Sequence, residues 1–345
     1  IVAKVTSTLK PNEATKSKTE VVPTQNIEAY KLYRKARDLW STRGEAEMKQ
    51  SIELFKQAIE MDPGFVEAYC GLGDAYAMMI PYGYVPPDQV RETIQLAEDV
   101  FFKAIKINPN YSGAYPAMGW LECMAKHRYE KALEHFDEAL KHNPNNIQAL
   151  MWKAITCRSI KRSNEAIQLS SRAIELDPNN HVAYMLLSLD YASDAQYENA
   201  EKAAKKSVSL KPDYGMGQNA LFNVLAMQEN KKEELKKHIE SLEALSNKDW
   251  NIEQTIFIYH YYFGTEESFN NAADYMKKKA ELTNYDLKGY PLYFFCTGQK
   301  EMGYKFLEEG VKNGSISLMG AHRYNIEWNV IKDEERYKSI YGDNY

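Results

Sequence analysis

The chain of 345 residues carries a net charge of −5 with its charges scattered rather than blocked, so it lacks the basic stripe of a nucleic-acid binder, and no nucleic acid is expected as a partner. No apolar run approaches the roughly 18 residues that a bilayer span needs, so membrane insertion is not expected either. Cys70, Cys123, Cys157 and Cys296 are far apart and form no CxxC pair, which argues against a zinc ribbon, a thioredoxin-like site or a disulfide framework and leans towards a reducing compartment, the cytoplasm before the periplasm.

The opening stretch "IVAKVTSTLKPNE" starts at Ile1 rather than Met and is too short in apolar length for a secretory signal. The chain therefore reads as a fragment of something longer or a processed product, with residues 1–26 as a connecting segment. Beyond it five segments repeat: "FKQAIEMDPGFVEAY", "FFKAIKINPNYSGAY", "FDEALKHNPNNIQAL", "SSRAIELDPNNHVAY" and "AKKSVSLKPDYGMGQ". Their prolines, Pro63, Pro109, Pro144, Pro178 and Pro212, lie 46, 35, 34 and 34 residues apart.

A small residue stands five places before each proline (Ala58, Ala104, Ala139, Ala173, Ser207). Eight places before it come Phe55, Phe101, Phe136, Ser170 and Ala204, on the same helical face. Proline has no N–H and pushes its predecessor out of the helical region, so Asp62, Asn108, Asn143, Asp177 and Lys211 mark helix ends. Asx residues just after several prolines are suited to cap the following helix. The interval of 46 is one period plus twelve. Because "VEAYCGLGDAYAMM" and "QVRETIQLAEDVFFKAIKI" both keep their anchors, the surplus is an insertion near residues 79–90, inside one repeat, carrying Tyr82 and Tyr84.

Helical hairpins at a period of 34 match the tetratricopeptide signature, in which stacked repeats bury a shared one-dimensional core. The expected fold is all-α, a right-handed superhelix with about six repeats over residues 27–247 and degenerate hairpins with a terminal cap over 248–345. These last are read from "NIEQTIFIYHYYFGTEESFNNAADYMKKKAELT" and "LKGYPLYFFCTGQKEMGYKFLEEGVKNG"; a separate helical subdomain is the other reading. The run "NIEAYKLYRKARDLWSTRGEAEMKQSIELFKQAIEMDP", the insertion "YGYVPPDQVRETIQLAEDV" and the close "IEWNVIKDEERYKSIYGD" resemble the C-terminal repeat region of bacterial multidomain regulators. That resemblance implies a scaffold that follows a nucleotidyl cyclase, winged-helix or Ser/Thr kinase domain through a TolB-like segment. It carries over no catalytic residue.

No phosphate loop, HExxH, GxSxG or Rossmann fingerprint is present. Cys123 and His127 could share a helical face, but two ligands make an incomplete metal site. The carboxylates Glu130, Glu134, Asp137 and Glu138 alternate with Lys131 and Lys141, as on a solvated, ion-paired face. The chain is accordingly read as no enzyme, with no metal and no cofactor.

In the family geometry, positions one, five and nine after each first-helix anchor (Tyr69, Tyr115, Leu150 and Tyr184 in the first four repeats) face a concave groove. They are Cys70, Asp74 and Met78, then Pro116, Trp120 and Met124. Met151, Ile155 and Ser159 follow, then Met185, Leu189 and Ser193, and Asn219, Asn223 and Met227. A carboxylate clamp would need several cations here, and Arg158 is the single one nearby. The asparagine pair Asn219 and Asn223 is too brief to form a ladder along a peptide backbone. An apolar, methionine-rich lining suits a protein or peptide partner such as an amphipathic helix. Self-filling by the amino-terminal segment, through Ile1, Val2, Val5 and Leu9, or by the insertion, through Ile80, Tyr82, Tyr84 and Val85, stays open. So does a homodimer or docking onto an attached effector domain.

Overall fold

The computed structural model describes residues 24–42, 45–80, 84–86, 89–111, 113–124, 128–246, 248–283, 291–313 and 335–341. The amino-terminal self-ligand, Tyr82, His127 and most of the carboxyl-terminal capping stretch lie outside them. Among the described residues every regular element is a helix. In chain order these are α1 Ile27–Thr42, α2 Glu45–Met61, α3 Val66–Met79, α4 Val90–Ile107, α5 Ala114–Met124 and α6 Tyr129–His142. Then come α7 Ile147–Ser159, α8 Ser163–Leu176, α9 His181–Ser193, α10 Tyr197–Leu210, α11 Gly215–Ala226 and α12 Lys232–Glu243. The last are α13 Trp250–Phe263, α14 Glu266–Thr283, α15 Pro291–Cys296, α16 Lys300–Asn313 and α17 Glu335–Tyr341.

Each odd helix through α15 pairs with the even helix that follows it, and each even helix packs on the next odd one through α12. The odd helices also touch in series, α1 on α3 and so on to α13, so they form an inner layer. The residues that set the period are the ones that make this stacking close. Phe55, Phe101 and Phe136 are fully buried, as are Ala58, Ala104, Ala139, Ala173 and Ser207. At Gly73 on α3 the Phe101 ring lies where a side chain would start: a Cβ there would sit 2.5 Å from its Cε1 and Cζ atoms.

The Asx-Pro turns do two jobs. The residue before proline folds its side chain onto the backbone two places on, so Asp62 accepts from Gly64 N, Asn108 from Asn110 N, Asn143 from Asn145 N and Asp177 from Asn179 N. This Asx turn holds the chain as it leaves the helix. Asn146 and Asn180 then cap α7 and α9, accepting from Ala149 N at 3.1 Å and Ala183 N at 3.0 Å. Asn26 and Asp249 do the same for α1 and α13.

The opposite edge, where first helices turn into second ones, is built differently. Lys161 (φ 64°) and Ala195 (φ 57°) are left-handed, and at each turn the next amide reaches back five residues, Arg162 N to Cys157 O and Gln196 N to Tyr191 O. This is the Schellman closure, which favours glycine. Gly298 (φ 79°) supplies one at the same kind of turn between α15 and α16, where Gln299 N bonds Phe294 O. Lys161→Gly and Ala195→Gly should therefore each raise the unfolding free energy by about 0.5–1 kcal/mol, by relieving a strained non-glycine residue at some cost in unfolded-state entropy. Urea denaturation would check this, and a loss of stability from both would refute it.

The insertion lies on that same edge, between α3 and α4. Val85 is 8% exposed and joins Ile80, Met79, Val90 and Ile94 in a buried cluster with Ile52 and Leu72, with Tyr84 packed against it. At the far end one cluster runs from Leu221 and Phe222 on α11 through Phe257, Met276, Leu292 and Leu307 to Tyr337 on α17. The last hairpins thus share a core with the repeat before them.

Candidate peptide-binding groove

Along the middle of the inner layer, Met151, Ile155 and Leu189 are half-buried and pack on one cluster with Met185, Leu186 and Ala220, which joins α7, α9 and α11. Next to them the indoles of Trp120 on α5 and Trp152 on α7 stack with centroids 5.1 Å apart at 25°. Both are half-buried. Such a pair offers a broad flat apolar contact at small cost in side-chain entropy. Met78 and Met227 are also half-buried, while Met124 closes α5 and its side chain lies outside the described residues.

Five expected lining residues are buried instead, Pro116 on α5 among them. Cys70 is 6% exposed, and burial together with Asp74 and Glu67 pushes its thiol well up. Met185 is 2% exposed because it plugs the α9–α11 seam. Asn223, also 2% exposed, donates to Asn219 O and Oδ1 within its own helix. Asn219 in turn donates to Thr255 Oγ1 on α13 at 3.0 Å.

Arg158 is the fifth. Its Nη1 lies 2.6 Å from Asp190 Oδ1, and Ser170 Oγ donates to Asp190 Oδ2 at 2.5 Å. Asp190 is fully buried, Arg158 is 7% exposed, and the three residues tie α7, α8 and α9 together. Burial raises the Asp190 carboxyl pKa, while the Arg158 charge and the Ser170 hydrogen bond pull it back. The polar triad exists because Ser170 stands where three earlier repeats have phenylalanine, which leaves room for a carboxylate. The guanidinium is thus committed to the scaffold.

Asp74 faces Arg37 of α1 at 3.5 Å, and Arg37 also lies 4.4 Å above the Trp40 ring. The outer carboxylates behave as surface charges: Asp137 meets Lys153 at 2.7 Å and Glu138 meets Lys141 at 3.1 Å. Among the described residues no group of three or more His, Cys, Asp or Glu is placed to hold a metal ion. No described helix is long and apolar enough to cross a membrane. Two partners have no signal in the 34-residue period: Trp152 sits one place after an expected lining position, and Thr255 comes from an aperiodic hairpin.

Helical hairpins stacked in one direction, with their first helices forming an inner layer, define an α-solenoid. Their fold is of the tetratricopeptide type. The tetratricopeptide repeat model matches residues 124–189, from the end of α5 into α9. A tetratricopeptide repeat protein from Parabacteroides merdae superposes over 80% of this chain and 98% of its own, with a TM-score of 0.52 at 15% identity, which extends the likeness of fold across most of the molecule. Human tetratricopeptide repeat protein 6 is 31% identical over 111 residues, 32% of this chain and 19% of that protein. The Hsp70-Hsp90 organizing protein 3 of Arabidopsis thaliana is 38% identical over 106 residues, 31% of this chain and 17% of that protein. The chain thus spans less than a fifth of either curated relative.

Proposed function

We propose that the chain is a non-catalytic scaffold that binds a protein or peptide along its inner surface, with an amphipathic helix as the preferred partner. The observation that carries this reading is the half-buried strip of Trp120, Trp152, Met151, Ile155 and Leu189 across three consecutive first helices. Methionine and tryptophan adapt to an apolar helix face at low entropic cost. With Arg158 tied to Asp190, recognition rests on shape and apolar burial instead of on capture of a terminal carboxylate. The resemblance of the repeat region and its insertion to bacterial multidomain regulators supports a sensory or interaction module attached to an effector domain.

The reading is tested with a fluorescently labelled amphipathic Leu/Lys peptide of twenty residues and a scrambled control, titrated in a polarisation assay. Ile155→Glu with Leu189→Glu should weaken binding by roughly 100-fold, as expected for two central anchors. A mutant that binds as well as the parent, or equal affinity for the scrambled peptide, would sink it. A concentration-dependent dimer in light scattering that binds no peptide would favour self-association instead.

A further inference from the structure

The strip of Trp120, Trp152, Met151, Ile155 and Leu189 lies on α5, α7 and α9. These three helices hold four side chains that carry charge at neutral pH, Glu122, Lys153, Arg158 and Asp190, and the frame engages every one. Glu122 is 1% exposed and meets Lys131 at 3.0 Å and Arg128 at 3.7 Å, at the turn into α6. Lys153 turns outward, to Asp137 of α6 at 2.7 Å and Glu165 of α8 at 3.3 Å, while Arg158 and Asp190 neutralise each other. A strip with no charge of its own offers nothing to a charged residue, whose desolvation would go uncompensated.

Contacts within the chain bound the strip at both ends. On α3, Asp74 faces Arg37 of α1 at 3.5 Å, and Met78 packs on the same cluster as Tyr84 of the insertion. On α11, Asn219 donates to Thr255 of α13 at 3.0 Å, and Asn223 turns back on Asn219. The apolar surface left for a foreign side chain therefore spans three adjacent first helices. Packed helices lie about 8–10 Å apart, so the distance from α5 to α9 is roughly 16–20 Å. A helix laid across it rises about 1.5 Å per residue and covers that length in roughly 11–13 residues.

We propose, on the groove reading above, that the partner's contact is a short amphipathic helix of three to four turns whose buried face carries no charge, seated across α5, α7 and α9 alone. The full chain is titrated by polarisation with labelled peptides of ten, fourteen, eighteen and twenty-four residues, leucine on one face, lysine and glutamate in equal number on the other. A hydrocarbon staple on the polar face holds each one helical, since short free helices are marginal in water. Affinity should rise more than threefold from ten to fourteen residues and then stay within threefold. A tenfold rise in NaCl should also leave it within threefold, because no ion pair is there to screen. Asp74→Asn and Met227→Gln, at the two ends, should bind the fourteen-residue peptide within threefold of the parent. No gain from ten to fourteen residues, a gain of more than threefold beyond fourteen, or a loss of more than threefold in salt or in either end variant overturns the proposal. Each of these leaves the groove reading standing as long as Ile155→Glu with Leu189→Glu weakens binding. If no peptide of any length binds, the groove reading fails and this footprint falls with it.

Discussion

Asp190→Ala is expected to lower the unfolding free energy by roughly 3–5 kcal/mol in urea denaturation, more than a substitution of that size at the surface. The alanine leaves the Arg158 guanidinium, 7% exposed and unable to shed its proton, without its partner in the seam between α7 and α9. The cost comes from the charge that stays behind, not from the worth of the ion pair. The double variant Arg158→Met with Asp190→Leu should therefore regain most of the loss, because apolar residues of similar volume replace buried pairs with little penalty. A double variant as unstable as the single one would show that the pair itself holds the seam. Ser170→Ala belongs to the same test and should cost about 1 kcal/mol, one hydrogen bond to a carboxylate that Arg158 still neutralises.

Gly73→Ala should cost about 2–3 kcal/mol even though alanine is the better helix former by up to roughly 1 kcal/mol. The new Cβ would lie 2.5 Å from two atoms of the Phe101 ring, which is fully buried and has Ala97, Ala117 and Met118 in its cluster. The ring cannot retreat without opening a void. Combining Gly73→Ala with Phe101→Leu should cost less than the sum of the two single changes, and simple additivity in a double-mutant cycle would refute the interlock.

The repeat period was legible because each marker has one physical meaning. Proline ends a helix, a small residue five places earlier admits a neighbour, and an Asx beside proline closes or caps a turn. Those constraints are local, so they survive in a single sequence. Side-chain exposure in the groove is not local. Positional counting brings Met151, Ile155 and Leu189 onto one strip, but Cys70 and Met185 sink into seams whose depth is set by the bulk of residues on neighbouring repeats. Arg158 shows the limit most clearly. Its fate depends on Ser170, 12 residues on in α8, and on Asp190 in α9; Ser170 departs from the phenylalanine of three earlier repeats, but that departure does not by itself say which charges fill the space. Beyond Pro212 the markers fade, and with them any means of seeing that Thr255 would reach Asn219.

The two edges of the stack have different freedom to change. On the edge of the Asx-Pro turns, a four-residue cassette fixes the exit of one helix and the entry of the next, so an added residue there would rotate everything downstream. On the other edge, Val85 and Tyr84 of the twelve-residue insertion pack on α2, α3 and α4 while the helices on both sides keep their register. New segments can accordingly be acquired along one rim without altering the curvature of the superhelix, and a lineage could diversify what approaches the groove from that side while the frame beneath it stays constant.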